Sequence, residues 1–340
     1  MARLVSNPPN PWAGPHVEWL GEPPPAGFQV FEEDAKSALT RNDSPDVPFT
    51  WSLNPYRGCQ HGCAYCYARP THTHLGFGAG TDFDTRIVVK RNLPEVFRRE
   101  LARGKAKGTW IALSGVTDPY QPIESHYKIT RQCLEAAREF RRPIGIVTRG
   151  SLVRRDAELL AEMARIAPVR VHISIPFVDP DVSRAIEPAA PAPAARFETL
   201  RILSEAGVPT GVAVAPVIPG LNDDQIPEIL QRARDAGAER TFTILLRLPG
   251  EAREVFEQRL RASLPLRADK VMHALDDARR AQGTTRIEFG ERMRGRGPRW
   301  DLIQDTFTLH ARRLGFEHTD EELDVLAPDT PKSQQGELFD

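Results

Sequence analysis

Cysteine is scarce in this sequence, with four in 340 residues. Four are too few for the disulfide framework of a secreted protein, and three of them lie close together, a pattern that paired disulfides do not require. Long apolar runs are also missing, since no stretch approaches the roughly 20 apolar residues of a membrane span. The N-terminal stretch MARLVSNPPNPWAGP lacks the apolar segment of a secretory signal. We therefore expect a protein of the reducing cytoplasm with no part in the membrane.

An excess of charge of either sign is absent as well. The net charge is −1, so the protein as a whole does not attract nucleic acid or an anionic membrane. Charged residues make up 27% and hydrophobic residues 40%, which is typical of a soluble globular enzyme. Any binding of a polyanion has to come from a local basic segment.

Composition divides the chain into four parts. Residues 1–42 are expected to form an extended, proline-rich N-terminal extension, because seven prolines occur in the first 25 positions. Residues 43–250 form the predicted core. Residues 251–316 are predicted to be a helical extension that contains the basic loop 290–300. Residues 317–340 are polar and are expected to fray.

Apolar strand-like runs alternate with helix-like segments through the core. Glycine follows two of the predicted helices in SEAG and RDAG, where helices commonly stop, and Asn222 is expected to cap the helix after PGL. This alternation predicts an α/β fold with a parallel sheet, open or closed, of about six strand–helix units, whose catalytic groups lie at the C-terminal ends of the strands. The predicted strands are WSLNPYRG (51–58), TWIALSG (109–115), RPIGIVTR (142–149), VRVHISIPF (169–177), PTGVAVAPVI (209–218) and RTFTILLRL (240–248).

The three clustered cysteines follow the first predicted strand. Cys59, Cys63 and Cys66 have the spacing C-x3-C-x2-C, and close thiolates repel one another unless a metal centre takes up their charge. Zinc is one interpretation, but structural zinc needs a fourth ligand. A four-iron cluster with one open iron is another, and a reduced loop without metal is a third. Cys133 lies on the apolar side of a predicted helix and is expected to be a core residue. The candidate fourth zinc ligands are His61, His72 and His74.

Several motifs together resemble the radical S-adenosylmethionine (SAM) superfamily, and within it a bacterial branch related to spore photoproduct lyase. They are SPDVPFTWSLNPYRGCQHGCAYCYARPTH, TDPYQP and VAPVIPGLND, and the likeness covers about residues 43–316. It implies a partial (β/α)6 barrel and a [4Fe-4S] cluster on Cys59, Cys63 and Cys66. It also implies reductive cleavage of SAM, chelated at the open iron, to a 5′-deoxyadenosyl radical that abstracts hydrogen from a substrate. The electron would come from a partner such as flavodoxin or ferredoxin.

The resemblance also implies roles for residues near the cysteines and after the second strand. Tyr65 would lie against the adenine of SAM, with anchoring of the loop as the alternative. Tyr67 would help to relay hydrogen, with packing as the alternative. Acceptors for the methionyl amine would come from the loop SGVTDPYQP, in which ordinary turn chemistry before proline is the alternative. These acceptors are Ser114, Thr117 and Asp118.

Later strands contribute the remaining predicted SAM ligands. Arg149 would pair with the methionyl carboxylate, and Ser174 would contact the cofactor or make a local backbone bond. Glu187 and Arg196 match the family pattern, either as cofactor ligands or as a structural ion pair. Relatives in the branch often have arginine where this chain has Ala189.

One residue of the lyase pattern is missing. The lyase has a hydrogen-donating cysteine where this chain has Gly115 and Val116, so its mechanism does not transfer as a whole. Three alternatives are open: Tyr67 donates the hydrogen, an outside thiol donates it, or the reaction needs no such donor.

The substrate is unknown from sequence, and nucleic acid is one candidate. Arginines and Trp300 in the loop 290–300 are suited to phosphates and bases, although such a loop is more commonly a solvated face or a lid salt-bridged to neighbouring acids. If it folds over the open barrel mouth, the loop is part of the substrate pocket. The alternative function is a zinc-stabilised nucleic-acid-binding or protein-binding module without catalysis.

Overall fold

The computed structural model describes residues 27–47, 49–280 and 293–317. Within them ten strands and eleven α-helices follow one another along the chain. The strands are β1 (Gln29–Glu33), β2 (Leu39–Arg41), β3 (Trp51–Leu53), β4 (Tyr56–Arg57), β5 (Arg86–Lys90), β6 (Ile111–Leu113), β7 (Ile144–Thr148), β8 (Val169–Ser174), β9 (Thr210–Val217) and β10 (Arg240–Leu245). The helices are α1 (Thr81–Thr85), α2 (Leu93–Ala102), α3 (Glu124–Tyr127), α4 (Ile129–Glu139), α5 (Ala157–Ala164), α6 (Pro180–Ile186), α7 (Pro193–Glu205), α8 (Ile226–Asp235), α9 (Ala252–Ser263), α10 (Pro265–Arg280) and α11 (Pro298–Arg313). Short 3-10 helices cover Arg69–Leu75, Ser151–Asp156 and Asp223–Gln225.

Six parallel strands make up most of the larger sheet. β3, β6, β7, β8, β9 and β10 lie side by side in chain order, and each neighbouring pair is parallel. β2 runs antiparallel to β3 at one edge, and β10 forms the other edge. Helices separate consecutive strands of the series. This architecture confirms the predicted partial (β/α)6 barrel.

A smaller sheet lies beside the cysteine loop. β5 pairs in parallel with β1 and antiparallel with β4, which ends directly before the first cysteines. β1 and β2 both come from the segment predicted to be an extended N-terminal extension, so two short parts of that segment have regular structure. Residues 1–26 of that extension and residues 318–340 of the predicted tail lie outside the described residues.

The core lies between the large sheet and its helices. β8 is buried at every position, as expected for a central parallel strand. Cys133 on α4 is 1% exposed, which agrees with its predicted place in the core. α11 packs against α8 and adds Trp300, Ile303 and Phe307 to the same core. Trp300 is only 3% exposed, so the interpretation in which its ring stacks on bases is wrong.

Glycines end the helices where the sequence predicts. Gly207 after α7 and Gly237 after α8 have φ values of +82° and +89°, the left-handed conformation that closes a helix. Asn222 does not cap α8, because its side chain makes no capping hydrogen bond. Its Oδ1 accepts from the amide of Ile218 at 2.6 Å, and its Nδ2 donates to the carbonyl of Pro176 at 2.7 Å. It therefore ties the loop after β9 to the segment after β8. No helix among the described residues has the length and apolar character needed to cross a membrane.

Candidate active site

A cavity of about 280 Å³ opens at the C-terminal ends of the parallel strands. Ten of the twelve residues predicted for the site line it, although they come from four separate segments of the chain. Parallel strands present their C-terminal ends at one edge, which explains how distant segments meet here. The ten are Cys59, Cys63, Tyr65, Cys66, Tyr67, Ser114, Thr117, Asp118, Arg149 and Ser174.

The cysteine loop leaves β4 through two residues in the left-handed region. Gly58 has φ +76° and Gly62 has φ +65°. The amide of Cys59 donates to the carbonyl of Phe83 at 2.9 Å, and the amide of Ala64 donates to that of Ile186 at 2.8 Å. The loop is therefore tied to α1 on one side and to the end of α6 on the other.

Burial dominates the chemistry of the three thiols. It raises the pKa of Cys59 well above its usual range, raises that of Cys63 to about 12, and raises that of Cys66. Neighbouring thiols add to the effect, whereas the guanidinium of Arg149 opposes it at Cys63. Without a metal centre the thiols are held protonated, and only an electropositive centre would draw all three into the thiolate form.

The histidines do not complete a zinc site. Among the described residues, no group of three or more His, Cys, Asp or Glu side chains could hold one metal ion. His61 is buried, with its Nε2 3.5 Å from Asp118 and its Nδ1 3.4 Å from the carbonyl of Ala189. His72 contacts the carbonyl of Arg86 through Nε2 at 3.0 Å, and His74 is exposed. A four-iron cluster distributes its ligands over separate irons, so three cysteines along one wall of a cavity fit it better than they fit a single ion.

Polar side chains of the loop after β6 are already engaged with the protein. Ser114 has φ +91° and donates its hydroxyl to the carbonyl of Thr117. Thr117 donates its own hydroxyl to the carbonyl of Gly58 at 2.6 Å and accepts from Gln121 at 2.9 Å. This loop therefore braces the start of the cysteine loop.

Asp118 is an ionised carboxylate in a buried place. Its Oδ1 accepts from the hydroxyl of Thr148 at 2.5 Å and from the amide of Tyr120 at 2.9 Å, and its Oδ2 accepts from the amide of Arg149 at 3.0 Å. Burial alone would raise the pKa of Asp118, but His61 and these hydrogen bonds outweigh it and hold the pKa well below its usual range. The carboxylate thus places a fixed negative charge on the cavity wall.

Arg149 lies at the centre of a second charged group. Its Nη1 is 3.1 Å from the hydroxyl of Tyr65 and donates to the Sγ of Cys63, while its Nη2 is 3.4 Å from the Oγ of Ser174. The guanidinium also lies 5.6 Å from the centre of the Tyr65 ring. Glu187 is buried and 3.3 Å from Arg149.

Glu187 and Arg196 are the two predicted site residues that do not line the cavity. Arg196 forms an ion pair with Glu187 and donates to the carbonyl of Ser174 at 3.1 Å. Glu187 also accepts from the hydroxyl of Tyr65. The pair therefore stands behind the wall and holds in place residues that face the cavity.

Tyr67 directly follows the last cysteine of the loop. Its side chain is 52% exposed, and its hydroxyl donates to the carbonyl of Gly115 at 2.6 Å. The phenol therefore lies beside the position at which the lyase pattern has a cysteine and this chain has glycine.

The remaining wall is mostly apolar, with Asp46, Thr148 and Arg247 as its polar members, and contains residues that the sequence did not single out. Met293, within the predicted basic loop 290–300, is one of them, and its carbonyl accepts from the amide of Leu245 at 3.2 Å. Arg294, Arg296 and Arg299 are exposed, and residues 290–292 lie outside the described residues. The apolar side chains of this wall include Val47, Phe49, Phe242, Ile244, Leu246 and Met293.

Sequence reasoning also missed a set of buried polar residues around the cysteine loop. Arg69 has no exposed surface, and its Nε and Nη2 donate to the carbonyl of Cys63 at 3.1 and 2.7 Å. Its Nη1 donates to the carbonyls of Ala79 and Gly80 at 3.0 and 2.8 Å. The available signal was its place three residues after the last cysteine of the cluster.

Comparisons with known proteins agree with this geometry. The sequence pattern of the Radical SAM superfamily matches residues 53–233. An uncharacterized protein of Mycobacterium bovis is 40% identical over 233 residues, which are 68% of this chain and 68% of the relative. The radical SAM Nα-GlyT isomerase of Pseudomonas phage M6 is 27% identical over 228 residues, 66% of this chain and 44% of that protein.

Solved structures show the same fold. Spore photoproduct lyase complexed with dinucleoside spore photoproduct is similar with a TM-score of 0.59 and 19% identity, over 84% of this chain and 80% of the lyase. A double mutant of the lyase with bound AdoMet and the same dinucleoside has a TM-score of 0.59 and 20% identity, over 85% of this chain and 80% of the lyase. The extent of the family match, together with the mycobacterial relative, shows that this chain belongs to the radical SAM superfamily.

Proposed function

We propose that this protein is an enzyme that holds a [4Fe-4S] cluster on Cys59, Cys63 and Cys66 and cleaves SAM reductively to abstract hydrogen from a substrate. The observation that carries the proposal is the single cavity in which the three thiols meet seven of the nine other residues predicted for the site. When bound, the cluster and SAM supply one-electron chemistry that no side chain can provide. The chain's own contribution is binding, orientation and exclusion of water.

Charges on the cavity wall suit the two ends of a methionyl group. Asp118 offers a fixed negative charge near Ser114 and Thr117, as an ammonium group requires. Arg149 offers a guanidinium that can bind a carboxylate through two parallel hydrogen bonds. The contact of Arg149 with Cys63 keeps this cation beside the thiols. Glu187 and Arg196 act as positioning residues, since they hold Arg149, Tyr65 and Ser174 from behind.

Tyr65 and Tyr67 have different parts in the proposal. The ring of Tyr65 is 4% exposed and faces the cavity, which suits packing against adenine. Tyr67 is the candidate hydrogen relay, because its hydroxyl lies at the cavity wall beside Gly115. No cysteine of this chain takes that role, since Cys133 is buried in the core.

Nucleic acid is the candidate substrate class, and a small reductase such as flavodoxin or ferredoxin is the candidate electron donor. One similar structure is spore photoproduct lyase complexed with dinucleoside spore photoproduct, and the apolar part of this cavity's wall suits a flat ring. Exposed Arg294, Arg296 and Arg299 follow Met293 of that wall. Binding of DNA or RNA that weakens steeply with salt, and is lost when these arginines are neutralised, would support the assignment. Binding unchanged by neutralisation would exclude this loop as the contact.

Anaerobic reconstitution tests the cluster itself. We expect the wild-type protein to take up four iron and four sulfide per chain, to turn brown, and to give on reduction a paramagnetic signal that SAM alters. The Cys63→Ala variant should lose the signal, and Cys133→Ala should keep it. The competing zinc-stabilised module predicts a colourless protein that binds one zinc in preference to iron, and this result would refute the proposal.

A further inference from the structure

The C-terminal helices reach the cysteine loop through one arginine. Arg259 lies on α9, and its Nη1 donates to the carbonyl of Gly62 at 2.8 Å across a separation of 197 residues. Its Nη2 donates to the Oδ2 of Asp84 at 2.5 Å. The side chain is 12% exposed, so the contact is made largely out of water.

Asp84 joins this arginine to a second one. Its Oδ1 accepts from Nη2 of Arg69 at 2.9 Å, while its Oδ2 accepts from Arg259. Arg69 and Arg259 together hold the carbonyls of Gly62 and Cys63. We name Arg69, Asp84 and Arg259 the arginine clamp.

The arginine clamp has an excess of positive charge. Two guanidiniums share one carboxylate, which leaves a net charge of +1 beside three cysteines. The buried Nε of Arg259 has no hydrogen-bond partner among the described residues. A buried cation without its own counter-ion is costly, and ordinarily a negative group has to face it. Thiolates and an electron-rich cluster on the cysteine loop are that kind of group.

We propose that Arg259 is a positioning residue of the cluster site, which fixes the Gly62–Cys63 segment and stabilises the reduced cluster by its charge. The charge part of this inference rests on the proposed function, whereas the positioning part concerns the protein without metal. Net charge and hydrogen bonds around a cluster set its reduction potential, and removal of a nearby cation makes reduction harder.

Thiol alkylation tests the positioning part without any cluster. The metal-free full-length protein is treated with iodoacetamide, and modification of each cysteine is followed by mass spectrometry. We expect Arg259→Gln to increase the alkylation rate of Cys63 at least tenfold. The rate at Cys133, far from the loop in sequence and buried in the core, should not change. The matched control is Arg261→Gln on the same helix, whose side chain pairs with Glu257 and Asp269 at the surface.

The midpoint potential of the reconstituted cluster tests the charge part. In the Arg259→Gln variant, the equilibrium constant for reduction of the cluster should fall at least tenfold. For one electron, a tenfold change is a shift of 59 mV to more negative potential. Arg259→Lys keeps the charge but not the two-pronged geometry, so its potential should stay closer to that of the wild type.

The outcomes are separable. Wild-type rates at Cys63 in Arg259→Gln overturn the positioning role, and an unchanged potential overturns the charge role. If Arg259→Gln unfolds, its Cys133 is alkylated as well, and the Arg259→Lys variant is used instead to test the positioning role. Faster alkylation of Cys63 alone in Arg259→Lys supports that role. Equal acceleration at Cys63 and Cys133, or no acceleration, overturns it. A wild-type protein that takes up no cluster refutes the proposed function, while the alkylation result still decides the positioning role.

Discussion

Gly58 precedes the first clustered cysteine, and replacing it with alanine should be costly for two separate reasons. Its φ of +76° lies in the left-handed region, which costs a residue with a Cβ about 1–2 kcal/mol. An added Cβ would also lie 2.9 Å from the carbonyl oxygen of Phe83 and 3.1 Å from that of Arg86. Both are backbone atoms, so neither can rotate away, and overpacking of this kind costs about 1–3 kcal/mol. We expect Gly58→Ala to lower the free energy of unfolding by about 2–5 kcal/mol.

Gly104→Ala is the matched control, because it has the same backbone strain without the contact. Its φ is +80°, and an added Cβ would meet nothing within 4 Å. Equilibrium unfolding in urea should therefore give a loss of about 1–2 kcal/mol for this variant, with an unchanged dependence on denaturant. If the two variants lose equal stability, the close approach of Gly58 to α1 and β5 is not what the structure implies, and the reasoning fails.

Three further predictions concern the charged groups of the cavity wall. Glu187→Gln should lower the free energy of unfolding in urea by about 3–5 kcal/mol, because it leaves the buried Arg196 and the partly buried Arg149 without this carboxylate. Unaltered stability would contradict the pairing. Asp118→Asn should lower the stability by its full amount above pH about 4, the ordinary pKa of an unfolded aspartate. In thermal scans, the difference in stability between variant and wild type should narrow as the pH falls below this value. A difference that is independent of pH would show that the carboxylate is not held ionised. Arg149→Lys should weaken SAM binding to the reconstituted protein by about 10- to 150-fold in calorimetry, since it loses one charge-assisted hydrogen bond of roughly 1.5–3 kcal/mol. Equal affinity would place the SAM carboxylate elsewhere.

The sequence predicted the parts of the fold that depend on local pattern. Each segment predicted to be a core strand contains an observed strand. Short apolar runs between helical segments can be recognised from the local sequence alone, which is why this prediction succeeded. The cysteine spacing indicated a metal centre for a similar reason, since three ligands lie within eight positions. Residues at the ends of different strands could be grouped because parallel strands share an edge.

What the sequence did not predict depends on contacts between distant residues. Arg259 is one of 45 Lys and Arg residues, and nothing in its neighbourhood distinguishes a partner of the cysteine loop from a surface cation. Asn222 is a residue type that commonly caps helices. It lies between the segments that follow two strands, however, and its side-chain amide bonds to the backbone of Ile218 and Pro176 instead. β1 and β2 were missed because such short strands form by pairing with β5 and β3 rather than by local preference.

Release of 5′-deoxyadenosine tests the central claim most directly. The reconstituted wild-type protein is reduced with dithionite in the presence of SAM, and the nucleoside is measured by chromatography against Cys63→Ala and Cys133→Ala variants. We predict that the wild type and Cys133→Ala produce the nucleoside and that Cys63→Ala does not. If the wild type, loaded with iron and sulfide, produces none, or if Cys63→Ala produces as much, the account of this cavity as a site of SAM cleavage is wrong.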